Sequence, residues 1–233
     1  MTIDMNICRD NLCKLLDSSL TYVNGNNNED LFPLFSEAIE NNQNNYQAYI
    51  SELNIIRNIL KEDLEFFLNS DPAASSLEEI KLAYPGYKAI AIYRISHILY
   101  GLGYQVISRI FSEIGHGQTG IDIHPAAKID CPFFIDHGTG IVIGETASIG
   151  KRVKLYQGIT LGALSIPNAN ELRGVIRHPQ VGNDVTIYAN ASILGPIHIG
   201  NNVTIGGNVF ITEDVPDNTK VTIGKPELVY KSK

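Results

Sequence analysis

The 233-residue sequence predicts an α + β chain: an all-helical region over 1–119, a left-handed parallel β-helix of hexapeptide repeats over 120–225 with a long protruding loop, and a short tail, 226–233. Three observations predict it. Apolar residues before about Gly120 recur at three- and four-residue intervals, and those after it recur every six. The six-residue rhythm then breaks once, over the 20 residues from Leu161 to Val181.

In the first region Leu53, Ile56, Leu60, Leu64 and Phe67 line one helical face, and Ile90, Ala91, Ile95, Ile98, Leu99 and Leu102 line another. Asparagine clusters at 24–28 and 41–45 read as loops, Asp71-Pro72 stops one helix, and Pro85-Gly86 separates two more. The segment Gly115 to Gly120 spells G-x-G-x-x-G, but it follows a helical stretch instead of a strand. It therefore lacks the geometry that cradles a phosphate and reads as a helix C-terminus and hinge.

From Ile123 the aliphatics run Ile123, Ile129, Ile135, Ile141, then Ile143, Ile149, Leu155, Leu161 after a two-residue phase shift, then Val181, Ile187, Ile193, Ile199, Ile205, Ile211. Small or apolar residues such as Ala127, Ala147, Val185, Ala191 and Val203 stand four places after them. Three short flat strands then make one triangular coil, with the aliphatics pointing into the prism and each coil hydrogen bonding to the next. Dividing residues 121–225 by 18 predicts about six coils. The break between Leu161 and Val181 predicts a loop that leaves the prism and returns on Arg177-His178-Pro179, and loops of this length are commonly functional.

Composition excludes several classes of partner. The net charge is -7, and its acidic excess lies in residues 1–120, with 15 acidic and 8 basic side chains. No clustered basic face is available for nucleic acid, and an acidic surface is repelled by anionic lipid. The first residues mix Asp4, Arg9, Asp10 and Lys14 among the apolar ones, so neither a signal peptide nor a membrane span is expected, and the expected location is the cytoplasm. Cys8, Cys13 and Cys131 show no metal or redox spacing and read as free thiols of a reducing compartment. Two N-x-[ST] patterns, at Asn190 and Asn202, fall inside repeats and are incidental.

His137 stands out because it lies between Asp136 and the glycines of Gly138-Thr139-Gly140, where a ligand can approach the backbone closely. Asp122 precedes it by 15 residues, nearly one coil, so the two are expected to stack on neighbouring rungs. A carboxylate there would fix the imidazole tautomer and support the charge it gains as a base.

The words "GIDIHPAAKI" (120–129), "DHGTGIVIGETA" (136–147), "LYQGITLGA" (155–163) and "RHP" (177–179), with Asp71-Pro72-Ala73 and Tyr93-Arg94-Ile95-Ser96-His97 upstream, resemble serine O-acetyltransferase. The resemblance runs from about Asn69 to Gly224. It implies acetyl transfer from acetyl-CoA to L-serine in cysteine biosynthesis, with no tightly bound cofactor and no metal. It further implies His137 as general base oriented by Asp122, with His178 beside the reacting centre. Asp71 and Asp136 would hold the serine ammonium and Arg177 its carboxylate, with Glu145 a further candidate. A backbone N–H within Thr160 to Ala163 is the candidate oxyanion donor, and Gly162 and Ala163 are implied acetyl-CoA-binding residues. Ala189 would offer its backbone to the pantetheine arm, and Lys220 and Lys225 would face the CoA phosphates.

The family implies a homotrimer or a dimer of trimers with the site between prisms, and cysteine as a feedback inhibitor. Departures from its pattern are a longer loop over 165–175, Glu227 in the sequence Gly224-Lys225-Pro226-Glu227-Leu228, and a tail ending at Lys233 without a terminal isoleucine. A stable cysteine synthase complex is therefore not expected. The rivals are a hexapeptide acyltransferase acting on a sugar or another amino alcohol, a zinc lyase on the same prism, and a non-catalytic scaffold.

Overall fold

The computed structural model describes residues 5–25, 30–164 and 174–224. Six helices come first: α1 (Met5–Val23), α2 (Phe32–Ala38), α3 (Gln43–Ser70), α4 (Leu77–Ala83), α5 (Pro85–Gly101) and α6 (Gln105–Thr119). Asn42 caps α3, its side chain accepting from the N–H groups of Asn44 (3.1 Å) and Asn45 (3.2 Å). Asp71, in extended conformation, ends it. Pro85 opens α5, where its missing N–H costs nothing. Gly120, at φ 71°, closes α6, so the glycine-rich segment is a helix end, as its sequence context predicts. Among the described residues no helix is long and apolar enough to cross a membrane.

The second part is a triangular prism of parallel strands. Face 1 stacks β1 (Asp122–Ile123), β4 (Val142–Ile143), β7 (Thr160–Gly162), β10 (Ser192–Leu194) and β13 (Phe210–Ile211). Face 2 stacks β2 (Lys128–Ile129), β5 (Ser148–Ile149), β8 (Gln180–Val181) and β11 (His198–Ile199). Face 3 stacks β3 (Phe133–Ile135), β6 (Val153–Leu155), β9 (Thr186–Ile187), β12 (Thr204–Ile205) and β14 (Lys220–Val221). The register places each repeat aliphatic on its like, as in Ile123, Ile143, Leu161, Ile193 and Ile211 along face 1. Every one of these five is at most 5% exposed, so the period-six set is the core.

There are about five coils, not six. The division by 18 counted residues that build no strand: the corner at 137–140 carries two extra residues, and the excursion between β7 and β8 consumes most of a coil.

The first coil would leave an open row of backbone donors and acceptors, and the helical region covers it. Tyr93 donates its hydroxyl to the Ala127 carbonyl (2.6 Å) and accepts from the Ile129 N–H (3.2 Å). Ser112 donates to the Ile123 carbonyl (2.6 Å), and Asp63 accepts from the Phe133 N–H (2.9 Å). Arg94 reaches the carbonyls of Ile129 and Asp130 while its guanidinium grips Asp63 at 2.8 and 3.0 Å. Burial drives the Asp63 carboxyl upward in pKa and Arg94 works against it. With three N–H donors directed at its two oxygens, the ionised form is the one this geometry suits. The Phe67 and Phe134 rings, 4.7 Å apart, complete the seam.

Candidate active site

The chain enters face 1 from face 3 at one corner and leaves it for face 2 at another. The candidate residues sort onto these two corners. At the entry corner lie Asp136, His137 and, two coils further along, Ala189. At the exit corner lie His124, Glu145, Gly162, Ala163, Arg177 and His178.

The entry corner is built around a strained turn. His137 has φ 56°, a left-handed conformation, and its side chain is 69% exposed. Gly138 follows at φ 83°, and a Cβ on it would overlap the side chains of Ile121 and Ile135, so the two-residue insertion needs glycine there. The imidazole Nε2 stands 3.6 Å from Asp136 Oδ2. Asp71, just beyond α3, accepts from the Ala73 N–H (2.8 Å) and from the Tyr84 hydroxyl (2.7 Å). The hydroxyl's bond to Asp71, with burial, pushes the Tyr84 phenol up to about 12, and Asp136 adds to the rise. Tyr156, half-buried and stacked on Tyr188 (5.2 Å, 11°), is raised by burial and by both carboxylates. Two carboxylates bordered by tyrosines form a negative, partly desolvated corner that suits a cation.

Asp122 does not join His137 within the chain, contrary to the stacking expected from their spacing. It projects from the middle of face 1, where its nearest cationic group is Arg109 at 4.0 Å, while His137 sits in the turn before β4. The corner insertion lengthens the coil to 20 residues between the paired Asp122 and Val142, so the 15-residue spacing does not bring the two together.

The exit corner is ordered by hydrogen bonds across the returning loop arm. Arg177 pairs with Glu145, which lowers the Glu145 pKa. His178 is 7% exposed, and burial, with Arg177 next, pushes its pKa down to about 4. Thr146 accepts at Oγ1 from the N–H groups of Arg177 (2.9 Å) and His178 (3.2 Å), while its own N–H donates to His178 Nδ1 (3.1 Å). A Cβ on Gly144 would occupy the space of the His178 ring, so the glycine before Glu145 makes room for that imidazole. His124 accepts at Nδ1 from the Ala126 N–H (3.1 Å) and caps its turn.

The acetyl-CoA candidates divide in the same way. Gly162 and Ala163 lie at the exit corner, where the Gly162 carbonyl accepts from Gly195 (2.9 Å). Ala189 lies at the entry corner, and its carbonyl accepts from Asn208 (2.9 Å). Lys220 is exposed on face 3 in the last coil; Lys225, the tail and residues 165–173 lie outside the described residues. Among the described residues the one grouping of three potential metal ligands is Glu113, His116 and Asp122, and Arg109 pairs with both of its carboxylates. Arg94 and His97 are structural, His97 bonding the Pro125 carbonyl at 2.6 Å.

Thr146, Tyr84 and Tyr156 escaped sequence reading. A threonine in a turn and tyrosines among eleven carry no local signal, although Thr146 stands beside Glu145 within the quoted motif.

A family model described as "Bacterial transferase hexapeptide (six repeats)" matches residues 178–213. A serine acetyltransferase of Synechococcus elongatus is 49% identical over 156 residues, which are 66% of this chain and 49% of that relative. The crystal structure of Entamoeba histolytica serine acetyltransferase 1 in complex with L-cysteine superimposes with TM-score 0.75 at 42% identity, covering 91% of this chain and 76% of that one. The chain belongs to the serine acetyltransferase family. A further serine acetyltransferase structure, from Neisseria gonorrhoeae in complex with serine, matches with TM-score 0.72 at 33% identity over 92% of this chain and 82% of that one. The prism is thus the left-handed β-helix of serine acetyltransferases. The aligned segment spans about half the length of the Synechococcus relative.

Proposed function

We propose that this protein transfers the acetyl group of acetyl-CoA to the hydroxyl of L-serine, giving O-acetyl-L-serine and CoA. One observation carries the reading: an exposed imidazole shares a corner with two carboxylates, and a half-buried arginine beside a buried histidine waits at the other end of the same face. A zwitterionic amino acid with a side-chain hydroxyl needs both signs of charge and a base. A sugar acceptor would need the base alone. The serine and cysteine complexes of the solved relatives support the amino-acid reading.

Because the two corners lie at opposite ends of face 1, the site closes between two copies of the chain. One copy supplies Asp71, Asp136 and His137, and the next supplies Arg177, His178 and Asp122, which meets His137 across the interface. Ala189 and the Gly162-Ala163 segment follow the same pairing further along the prism, as an elongated pantetheine arm would require. A homotrimer satisfies this closure, since a heterologous contact repeated three times makes a ring.

In the reaction His137 takes the serine hydroxyl proton as the oxygen attacks the thioester carbonyl. The new C–O bond forms, a backbone N–H near Gly162 meets the oxyanion, and the C–S bond breaks. The CoA sulfur leaves with the electron pair and recovers the proton from the imidazolium. Glu145 keeps Arg177 oriented until the substrate carboxylate arrives. Cysteine, which differs from serine at one atom, competes for the same groups.

The test is CoA thiol release from acetyl-CoA with L-serine, homoserine or a galactoside as acceptor, with product mass measured. Serine-dependent release supports the reading, and release with the galactoside alone replaces it with a sugar acetyltransferase.

A further inference from the structure

We propose that Thr146 is a positioning residue that holds His178 as its neutral Nε2–H tautomer, so that His178 acts in acyl transfer as a hydrogen-bond donor and not as a second base. The proposal rests on the acetyl-transfer reading above and adds to it a division of labour between two imidazoles.

The argument is a count of donors and acceptors. The Thr146 Oγ1 lies 2.7 Å from His178 Nδ1 and accepts from two backbone N–H groups, those of Arg177 and His178. A hydroxyl has two lone pairs and one proton, so with both lone pairs engaged its proton is left for Nδ1. The Thr146 N–H, which can only donate, points at the same nitrogen from 3.1 Å. Nδ1 therefore carries no hydrogen, its single lone pair shared by the two donors, and the neutral ring carries its proton on Nε2. At 7% exposure, with Arg177 adjoining, the ring also resists a second proton.

Among the described residues no comparable pair of donors holds His137, which is exposed, with its Nε2 3.6 Å from the Asp136 carboxylate. His178 is the opposite: a rigid, preorganised N–H with a lone pair that is already used. Such a group stabilises an oxygen on which negative charge develops, and it costs no reorganisation at the moment of reaction. Gly144 belongs to the same device, because the edge of the His178 ring occupies the place of a Cβ.

The experiment labels all histidines with 15N and reads the imidazole nitrogens by NMR, with the His178 signal assigned by its loss in His178→Gln. In the wild type His178 should show the Nε2–H pattern from about pH 5.5 to 8.5, without titrating. Thr146→Val keeps the backbone N–H but removes the 2.7 Å hydroxyl bond and releases the Arg177 and His178 N–H groups, so the ring should loosen to mixed tautomers and kcat should fall about 10- to 100-fold, the range for a misplaced group near the chemistry. Thr146→Ser, which keeps the hydroxyl, should restore both. An Nδ1–H or cationic His178 in the wild type overturns the lock. A Thr146→Val protein with a shifted tautomer and unchanged kcat overturns the donor role, and lowered kcat with an unshifted tautomer overturns the positioning role. The spectra need no acceptor, so they read the lock even if serine is not the substrate.

Discussion

Replacing Asp63 with alanine removes the partner of a guanidinium that is 6% exposed and orphans the Phe133 N–H at the start of β3. Arg94 would keep only two long contacts, to the carbonyls of Ile129 (3.3 Å) and Asp130 (3.4 Å). An uncompensated buried charge costs about 3–5 kcal/mol. For a chain of this size each kcal/mol lowers Tm by about 2–4 °C, so the expected fall is about 6–20 °C. The damage should also reach function, because α3 carries Asp71 at its end and β3 leads directly into Asp136 and His137. Losing the clamp between them should raise KM for serine. The assay is denaturant and thermal unfolding at fixed protein concentration, since the oligomer adds its own stability. The control is Asp63→Leu with Arg94→Met, which removes the charge but leaves the Phe133 N–H unpaired, a residual cost of about 1–3 kcal/mol. A loss below about 1 kcal/mol in Asp63→Ala, or a double variant as unstable as the single one, would refute the clamp.

Co-expressing His137→Ala chains with His178→Ala chains should recover roughly a quarter of wild-type activity in mixed trimers, since one neighbouring pair in four unites both intact residues; no recovery would place the site within one chain. Gly144→Ala should leave the prism folded by circular dichroism yet lower kcat/KM about 10- to 100-fold by displacing His178, and an unchanged value would count against that placement. The folded His178 pKa of about 4 lies below the ordinary 6.5, so its contribution to stability is complete above pH 6.5 and is lost as pH falls through 4. Unfolding free energies measured across that window should fall with acidification less steeply in His178→Gln than in the wild type, and equal slopes would contradict the assignment.

The prism was legible because each coil reuses one instruction: an aliphatic inside, then a small or left-handed residue at the corner. Helix stripes such as Leu60, Leu64 and Phe67 were legible for the same reason of repetition. Partnerships formed across the fold were not. Asp63 shows in sequence only as a charge beside that stripe, and its partner lies 31 residues away on α5. Spacing placed Asp122 under His137, but the extra residues at 137–140 lengthen the coil and separate them. The sorting of candidates onto two corners is invisible in one dimension, since residues 178 and 137 become opposite ends of one face only after the loop and the coils are counted. Thr146 acts through ordinary hydroxyl and amide groups, which mark no motif.

The central claim is that His137 is the base for acetylation of serine. It is tested most directly by measuring kcat for CoA release with saturating acetyl-CoA and L-serine in wild type and His137→Ala, with folding verified for both. The account predicts serine-dependent turnover that falls by about 10²- to 10⁴-fold in the variant. Turnover that survives the loss of His137, or a wild type that does not acetylate serine, would contradict it.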